Sequence, residues 1–574
     1  MRHHRRVPNP RSLPWRGTLA LALFACSPGI EAPVAEPAAS SASDPPASRP
    51  RLVIVLVVDQ MRAEMLERYG PGYRAGMDRL RKEGVVFTRA RHAHAVTYTA
   101  PGHATLATGR HPREHGIVMN SWVDDEGERH YAAADPDVEI LGSDEGFHGA
   151  PTRVKSDTLG DWLQAAHPAA KVWSLALKDR AAVMMGGQHP DGVMWWNDAP
   201  ARYVSSKYYF DALPDWLESF GESWWTQERL GAAWTAPTHI RASRPEDENA
   251  FEGEFSAFPH TLEHFGGSLG SMVRHTPKGE EMNFALAREL IEREGLGRDE
   301  QPDLLWLGAS ASDWIGHRFG PRSHEMEAHH LELDRLIGDF LDFLDQRFPE
   351  GDYLLVLTSD HGMADVPESI RGHATSGERI SGRPAVSRHL EALGASGACP
   401  QNTYDFDLRY GVTLTLRDGQ LAPKAEVKRK CARALAEALR SEAWALEVLG
   451  PDELERPPSA SDSPYAKAAK LSVYPGRAAD VFVRLPEHHI FERGYKSGSS
   501  HGSAYTYDQS VPLIFFSPRL NAATRDEAVE TVDLAPTLAP LLGAPLPPSL
   551  PGAAIPSMSE DFAKVGWPST TSPQ

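Results

Sequence analysis

Six residues in four separate stretches carry side chains of the kind that bind divalent cations. Asp313 and His317 lie four apart in Asp313-Trp314-Ile315-Gly316-His317, which puts both on one face if the segment is helical. Asp360 and His361 are adjacent in Thr358-Ser359-Asp360-His361-Gly362, where the glycine suits a tight turn, and His501 stands among small residues in Ser500-His501-Gly502-Ser503. Asp59 directly follows an apolar run. Three carboxylates and three imidazoles form a donor set suited to zinc. With the hydroxyl of Thr99 they make seven ligands, enough for two ions. Each pair alone arises by chance in many proteins, so the signal lies in their being brought together.

Thr99 lies in Thr97-Tyr98-Thr99-Ala100-Pro101-Gly102-His103, ahead of a helical register over 104–108. A threonine followed by a proline is a common helix start, so Thr99 reads on one side as an ordinary cap. The same geometry also offers unpaired backbone N–H groups and the positive end of a helix dipole to an anion. Lys178 and Arg180, in Lys178-Asp179-Arg180, are either a solvated turn or a pair of cations for phosphoryl oxygens.

These residues need a scaffold that gathers them. The run 52–58 is uninterrupted and apolar, as expected of a strand buried on both faces of a parallel sheet. Similar runs occur at 171–177, 304–307, 353–357, 481–485 and 511–516, and helical patterns fill 283–294, 325–348 and 425–440. Strands alternating with helices predict an α/β fold, a doubly wound and mostly parallel sheet flanked by helices. Such sheets bind ligands beyond the carboxyl ends of their strands. Asp59, Lys178 with Arg180, Asp313, and Asp360 with His361 each follow one of these runs, so they converge on one edge. Two stretches read as insertions that could cap a site: 192–277, with six of the fourteen tryptophans, and 372–476. Most of those aromatics are expected to be the core of a subdomain. The catalytic domain is placed at 51–560, with a tail at 561–574, and no internal repeat is visible.

The chain has 574 residues and a formal net charge of −19, which excludes a broad nucleic-acid-binding surface. An acidic protein can still hold an anion where the site itself is positive. The N-terminus reads as an export signal over 1–26, with a basic region and a short apolar run ending Leu23-Phe24-Ala25-Cys26. That ending resembles the lipobox of bacterial lipoproteins, which implies a lipid anchor to a membrane through Cys26 and a periplasmic or outer-membrane address; an ordinary signal peptide is the alternative. Residues 27–50 are mostly Pro, Ala and Ser and read as a disordered tether. Cys399 and Cys431 are the remaining cysteines, free to pair in an oxidising compartment or to stay as buried thiols.

Taken together, these residues resemble the alkaline phosphatase superfamily, nearest to the single-domain, phosphate-irrepressible alkaline phosphatases. The resemblance rests on Val57-Val58-Asp59-Gln60-Met61-Arg62, Thr99-Ala100-Pro101-Gly102-His103, the segment 116–122, Lys178-Asp179-Arg180, Asp313 with His317, Asp360-His361-Gly362, His501-Gly502-Ser503 and Asp533-Leu534-Ala535-Pro536-Thr537-Leu538. It implies two Zn2+ ions, one held by Asp313, His317 and His501 and one by Asp59, Asp360 and His361. It implies Thr99 as the nucleophile, forming a covalent phosphothreonine, with Thr97 as its rival. Asn120, Lys178 and Arg180 would contact the phosphoryl oxygens. Lys178 would also stand where some relatives hold a third metal.

The implied activity is hydrolysis of small-molecule phosphate monoesters by a monomer. Phosphate-monoester hydrolysis needs accelerations of up to about 10²¹-fold, whereas general acid–base catalysis supplies only about 10²–10⁴. Electrostatic clamping by two metals must therefore carry most of the work. Two zinc ions with Lys178 and Arg180 outweigh three aspartates and a Thr99 alkoxide by two formal charges, which matches a monoester dianion. A phosphodiesterase or nucleotide pyrophosphatase of the same superfamily is the alternative. A sulfatase is disfavoured, since it needs a formylglycine made from Cys or Ser. A non-catalytic surface lipoprotein would be expected to have lost ligands.

Overall fold

Leu52–Val58 buries all seven of its side chains, and they alternate between two cores. Val53, Val55 and Val57 face one core, while Leu52, Ile54, Leu56 and Val58 face the other. Two-sided burial requires helices on both faces of the sheet. Thr99–Thr108, Leu159–Ala166, Asp179–Gly186 and Leu534–Leu542 pack on the first face. Gly76–Glu83, Pro277–Glu294 and His324–Arg347 pack on the second. This computed structural model describes residues 49–124, 127–224, 232–237, 257–265, 269–370, 376–417, 424–492 and 497–569. The signal segment with Cys26, nearly all of the tether and the end of the tail lie outside them.

Among the described residues the central sheet has ten strands. At its middle, Tyr353–Thr358, Leu52–Val58, Asp303–Ala309, Val172–Ala176 and Gly192–Asn197 run parallel, in that spatial order. On one side the order continues with Leu513–Phe516, antiparallel, then Val85–Arg91 and Ala523–Glu530; on the other with Arg202–Ser206 and Ile140–Leu141. Register decides the function. Val57 lies opposite Thr358, Val58 opposite Ala309, and Ala176 opposite Gly308. The parallel strands thus end within a residue or two of one another, and the residues just past each strand emerge on one edge.

Two expectations change. The run 481–485 is not a strand of the central sheet. Val481–Arg484 instead joins Tyr404–Leu408, Gly411–Leu416 and Glu447–Leu449 in a separate four-stranded antiparallel sheet. Phe482 faces the first main core while Val481 and Val483 face the subdomain's own core. A strand buried between two cores has the same uninterrupted apolar pattern as a central parallel strand, so periodicity cannot separate them. The stretch 192–277 also opens with two strands of the central sheet, Gly192–Asn197 and Arg202–Ser206, rather than with inserted chain. Its Trp195 and Trp196 fall on opposite sheet faces as core residues. Within the antiparallel subdomain, Cys399 and Cys431 form a disulfide.

Candidate metal centre and nucleophile

Asp59 continues the Leu52–Val58 strand by one residue, its N–H bonded to the Ala309 carbonyl (2.8 Å). Asp360 and His361 follow Tyr353–Thr358 after Ser359. Asp313 and His317 lie on the helix Ala311–Phe319, one turn apart and facing one direction, just after Asp303–Ala309. His501 arrives on a loop. The outcome is two triads, Asp313 with His317 and His501, and Asp59 with Asp360 and His361, each with its donor atoms within 4.8 Å of one another.

The donor atoms are aimed as metal ligation requires. All three imidazoles turn Nδ1 to a backbone carbonyl: His317 to Ser499 (2.9 Å), His501 to Thr97 (2.7 Å), His361 to Gly362 (2.9 Å). Each therefore presents Nε2 inward, with the tautomer fixed by the bond behind it. His317 Nε2 and His501 Nε2 stand 3.4 and 3.6 Å from Asp313 Oδ1. His361 Nε2 stands 3.3 Å from Asp360 Oδ2 and 3.6 Å from Asp59 Oδ1. Ligands at about 2.0–2.1 Å in a tetrahedral shell are separated by roughly 3.3 Å, so both triads have the size of a shell around one small divalent ion. His361 Nε2 and Asp59 Oδ1 are buried with no hydrogen-bond partner, which in a native site calls for an ion or water.

Electrostatics agree with that fit. Burial and the adjacent Asp360 carboxylate push the Asp59 pKa well above the usual range, a penalty that a cation between them removes. Burial pushes the His501 and His361 pKa values down, so both imidazoles are neutral, the form that binds metal. Burial would raise Asp313, but the Lys178 ammonium beside it holds it well below the ordinary range.

Lys178 joins the two triads. Its buried ammonium donates to Asp59 Oδ2 (2.7 Å) and Asp313 Oδ2 (2.5 Å) and lies 3.4 Å from Thr99 Oγ1. Thr99 is the first residue of the helix Thr99–Thr108, and extended Tyr98 is the cap. The helix has no side-chain cap bond, so the capping role for Thr99 is absent and its hydroxyl faces the lysine. Thr97, the rival, donates its hydroxyl to the Ser503 carbonyl (3.0 Å). Asn120 Oδ1 accepts from the Ala100 N–H (2.9 Å), tying this side chain to the helix end that carries Thr99. Arg180 stands on the first turn of Asp179–Gly186 beside Tyr131 and Asp179. Burial lowers its pKa, but those two neighbours, with Asp59 and Asp313, outweigh that and keep the guanidinium charged. Gly102 lets the Thr99 helix press against the Asp360 backbone: a Cβ there would lie 2.1 Å from the Asp360 carbonyl oxygen.

Sequence reasoning gave no role to three residues that shape the site. Gln60 donates from its backbone to Asp360 Oδ1 and from its side chain to Asp313 Oδ1. His103 lies 3.3 Å from Asp360 Oδ2 and bonds the Thr99 carbonyl. Asp508 accepts from the Gly502 N–H, the Ser503 N–H and the Ser503 hydroxyl, pinning the loop behind His501. Gln60 and His103 sit inside the motifs around Asp59 and Thr99; Asp508 has no such signal.

The family model described as type I phosphodiesterase / nucleotide pyrophosphatase matches residues 53–397. The chain belongs to this family, within the alkaline phosphatase superfamily. Among its relatives, the alkaline phosphatase PhoK of Sphingomonas sp is 32% identical over 87% of this chain and 90% of its own. The alkaline phosphatase PafA of Elizabethkingia meningoseptica is 28% identical over 88% of this chain and 94% of its own. The crystal structure of wild-type PafA overlays with a TM-score of 0.80 at 28% identity, covering 88% of this chain and 98% of PafA. A PafA variant substituted at one threonine, one asparagine, one lysine and one arginine overlays at 0.81 with 27% identity, covering 89% and 99%.

Proposed function

We propose that this chain is a zinc-dependent phosphate monoester hydrolase that works through a phosphothreonine on Thr99 and releases inorganic phosphate. The observation that carries the reading is Lys178, a buried cation shared by both triads and adjacent to the Thr99 hydroxyl. PhoK and PafA, which align over nearly the whole catalytic domain, are named alkaline phosphatases. The four residue types altered in the PafA variant are those of Thr99, Asn120, Lys178 and Arg180.

Asp313, His317 and His501 would hold one ion, and Asp59, Asp360 and His361 the other; three carboxylates and three imidazoles favour zinc. When bound, two such ions supply Lewis acidity to the attacking and leaving oxygens of an in-line displacement. The chain's own groups do the rest. Thr99 Oγ forms a bond to phosphorus as the bond to the leaving oxygen breaks, and water then cleaves the Thr99–phosphorus bond. Lys178 favours the ionised form of the Thr99 hydroxyl by its charge. Lys178, Arg180 and the Asn120 amide would bind the equatorial oxygens, and their two positive charges select a dianion over a singly charged diester. The carbonyls behind the imidazoles keep the Nε2 atoms aimed inward while charge moves.

The N-terminus supports export as a lipoprotein anchored at Cys26, an oxidising address in keeping with the Cys399–Cys431 bond. Membrane release on Cys26→Ser substitution would test it, and unchanged fractionation would refute it. For the activity, turnover of an aryl phosphate and of its bis-aryl diester should be compared before and after chelation. Faster monoester turnover that chelation abolishes and zinc restores is expected. Faster diester turnover makes the chain a phosphodiesterase, as its family model's description would allow.

A further inference from the structure

The residue after Asp59 holds a backbone conformation that L-residues rarely adopt. Gln60 has φ +69° and is buried. A non-glycine residue held there costs free energy and persists only where its surroundings impose it. Its left-handed backbone does two things at once. The Gln60 N–H points at Asp360 Oδ1 (3.0 Å), in the Asp59 triad. Its side-chain amide reaches Asp313 Oδ1 (2.6 Å), in the other triad. The fit on the far side is close, since a Cβ on Gly316 would meet the Gln60 Oε1 at 1.8 Å.

The oxygens so engaged matter. On Asp360, Oδ1 takes the Gln60 N–H and leaves Oδ2 facing His361 Nε2. On Asp313, Oδ2 takes Lys178 and Oδ1 faces His317 and His501, so the Gln60 amide sets the direction of the ligating oxygen itself. We propose that Gln60 is a positioning residue whose backbone orients one metal triad and whose side chain orients the other, so that its side chain is needed selectively for the Asp313–His317–His501 site. Lys178 also bridges the triads, but as a cation it opposes metal entry. Gln60 is neutral and fixes geometry at no such cost.

This inference rests on the metal-centre reading, and its test uses no substrate. Zinc stoichiometry and chelator competition would be measured on the full chain for wild type, Gln60→Gly and Gln60→Glu, with His317→Ala as the reference for a weakened Asp313 site. Glycine keeps the N–H and accepts the left-handed backbone without strain. Gln60→Gly should therefore hold one ion as tightly as wild type and the other about 10- to 100-fold more weakly, matching His317→Ala. Its metal-free thermal midpoint should stay within a few degrees of wild type. Gln60→Glu keeps the shape but cannot donate while ionised, and should show the same selective weakening. Two ions retained at wild-type affinity in Gln60→Gly overturn the proposal, as does equal weakening of both sites. A wild-type chain that takes up no zinc overturns the metal-centre reading and this inference with it.

Discussion

The two triads use the same donor types in different surroundings. Asp59, Asp360 and His361 are wholly enclosed, roofed by the Thr99 helix where Gly102 meets Asp360. In the other triad Asp313 and His501 are nearly buried, but the His317 side chain is 37% exposed. An ion in the enclosed triad would be shielded from exchange, while one in the half-open triad would meet water. Burial thus distinguishes two sites that the residue types alone leave equivalent.

The largest expected effect falls on the enclosed side. Thr99→Ala should lower monoester turnover by at least about 10³-fold with little change in the unfolding midpoint, whereas Thr97→Ala should cost less than about 10-fold. Kinetics showing the reverse order would move the nucleophile out of the enclosed triad's reach. Next, His361→Ala should depress turnover by about 10²- to 10³-fold without zinc rescue, and His317→Ala by about 10- to 100-fold with partial rescue at excess zinc. Equal, unrescued losses would erase the distinction between the sites. Lys178→Ala should cost about 10²-fold on an aryl phosphate and roughly tenfold less on the diester; parallel losses would remove the charge argument.

The smallest effect concerns two buried histidines beside the Thr99 helix, where His115 pairs with the Thr105 hydroxyl. Burial lowers His111 from 6.5 to about 4 and His115 to about 3. Their folded pKa values are depressed, so the stability they contribute is present above pH 6.5 and is lost as pH falls toward 4 and 3. Each such group gives a slope of at most about 1.4 kcal/mol per pH unit in that window. Thermal melts from pH 7 to pH 4 should show a steady fall that His111→Gln makes shallower. A flat profile would contradict neutral burial.

The placement of the site was legible because parallel strands covered on both faces are unbroken apolar runs, and a polar residue just past such a run marks the carboxyl edge. Asp59 and Asp360 could be read that way. The same pattern failed at Val481–Arg484, which is buried between two cores without belonging to the central sheet. Thr99 was ambiguous because a capping threonine and a catalytic one present the same Thr-Ala-Pro sequence; the missing cap bond and the position of the Lys178 ammonium separate them. Gln60 was illegible for a deeper reason. Its effect depends on one left-handed backbone angle and on partners about 250 and 300 residues away in the chain.

The proposed mechanism places covalent chemistry at one hydroxyl beside the joined triads. Acid quenching of the zinc-loaded enzyme during turnover of an aryl phosphate, followed by peptide mass spectrometry, would read it directly. A phosphoryl group on Thr99, absent after chelation and absent in Thr99→Ala, is the predicted result. Full turnover with no phosphopeptide in the quenched enzyme, or with the group on another residue, would contradict it.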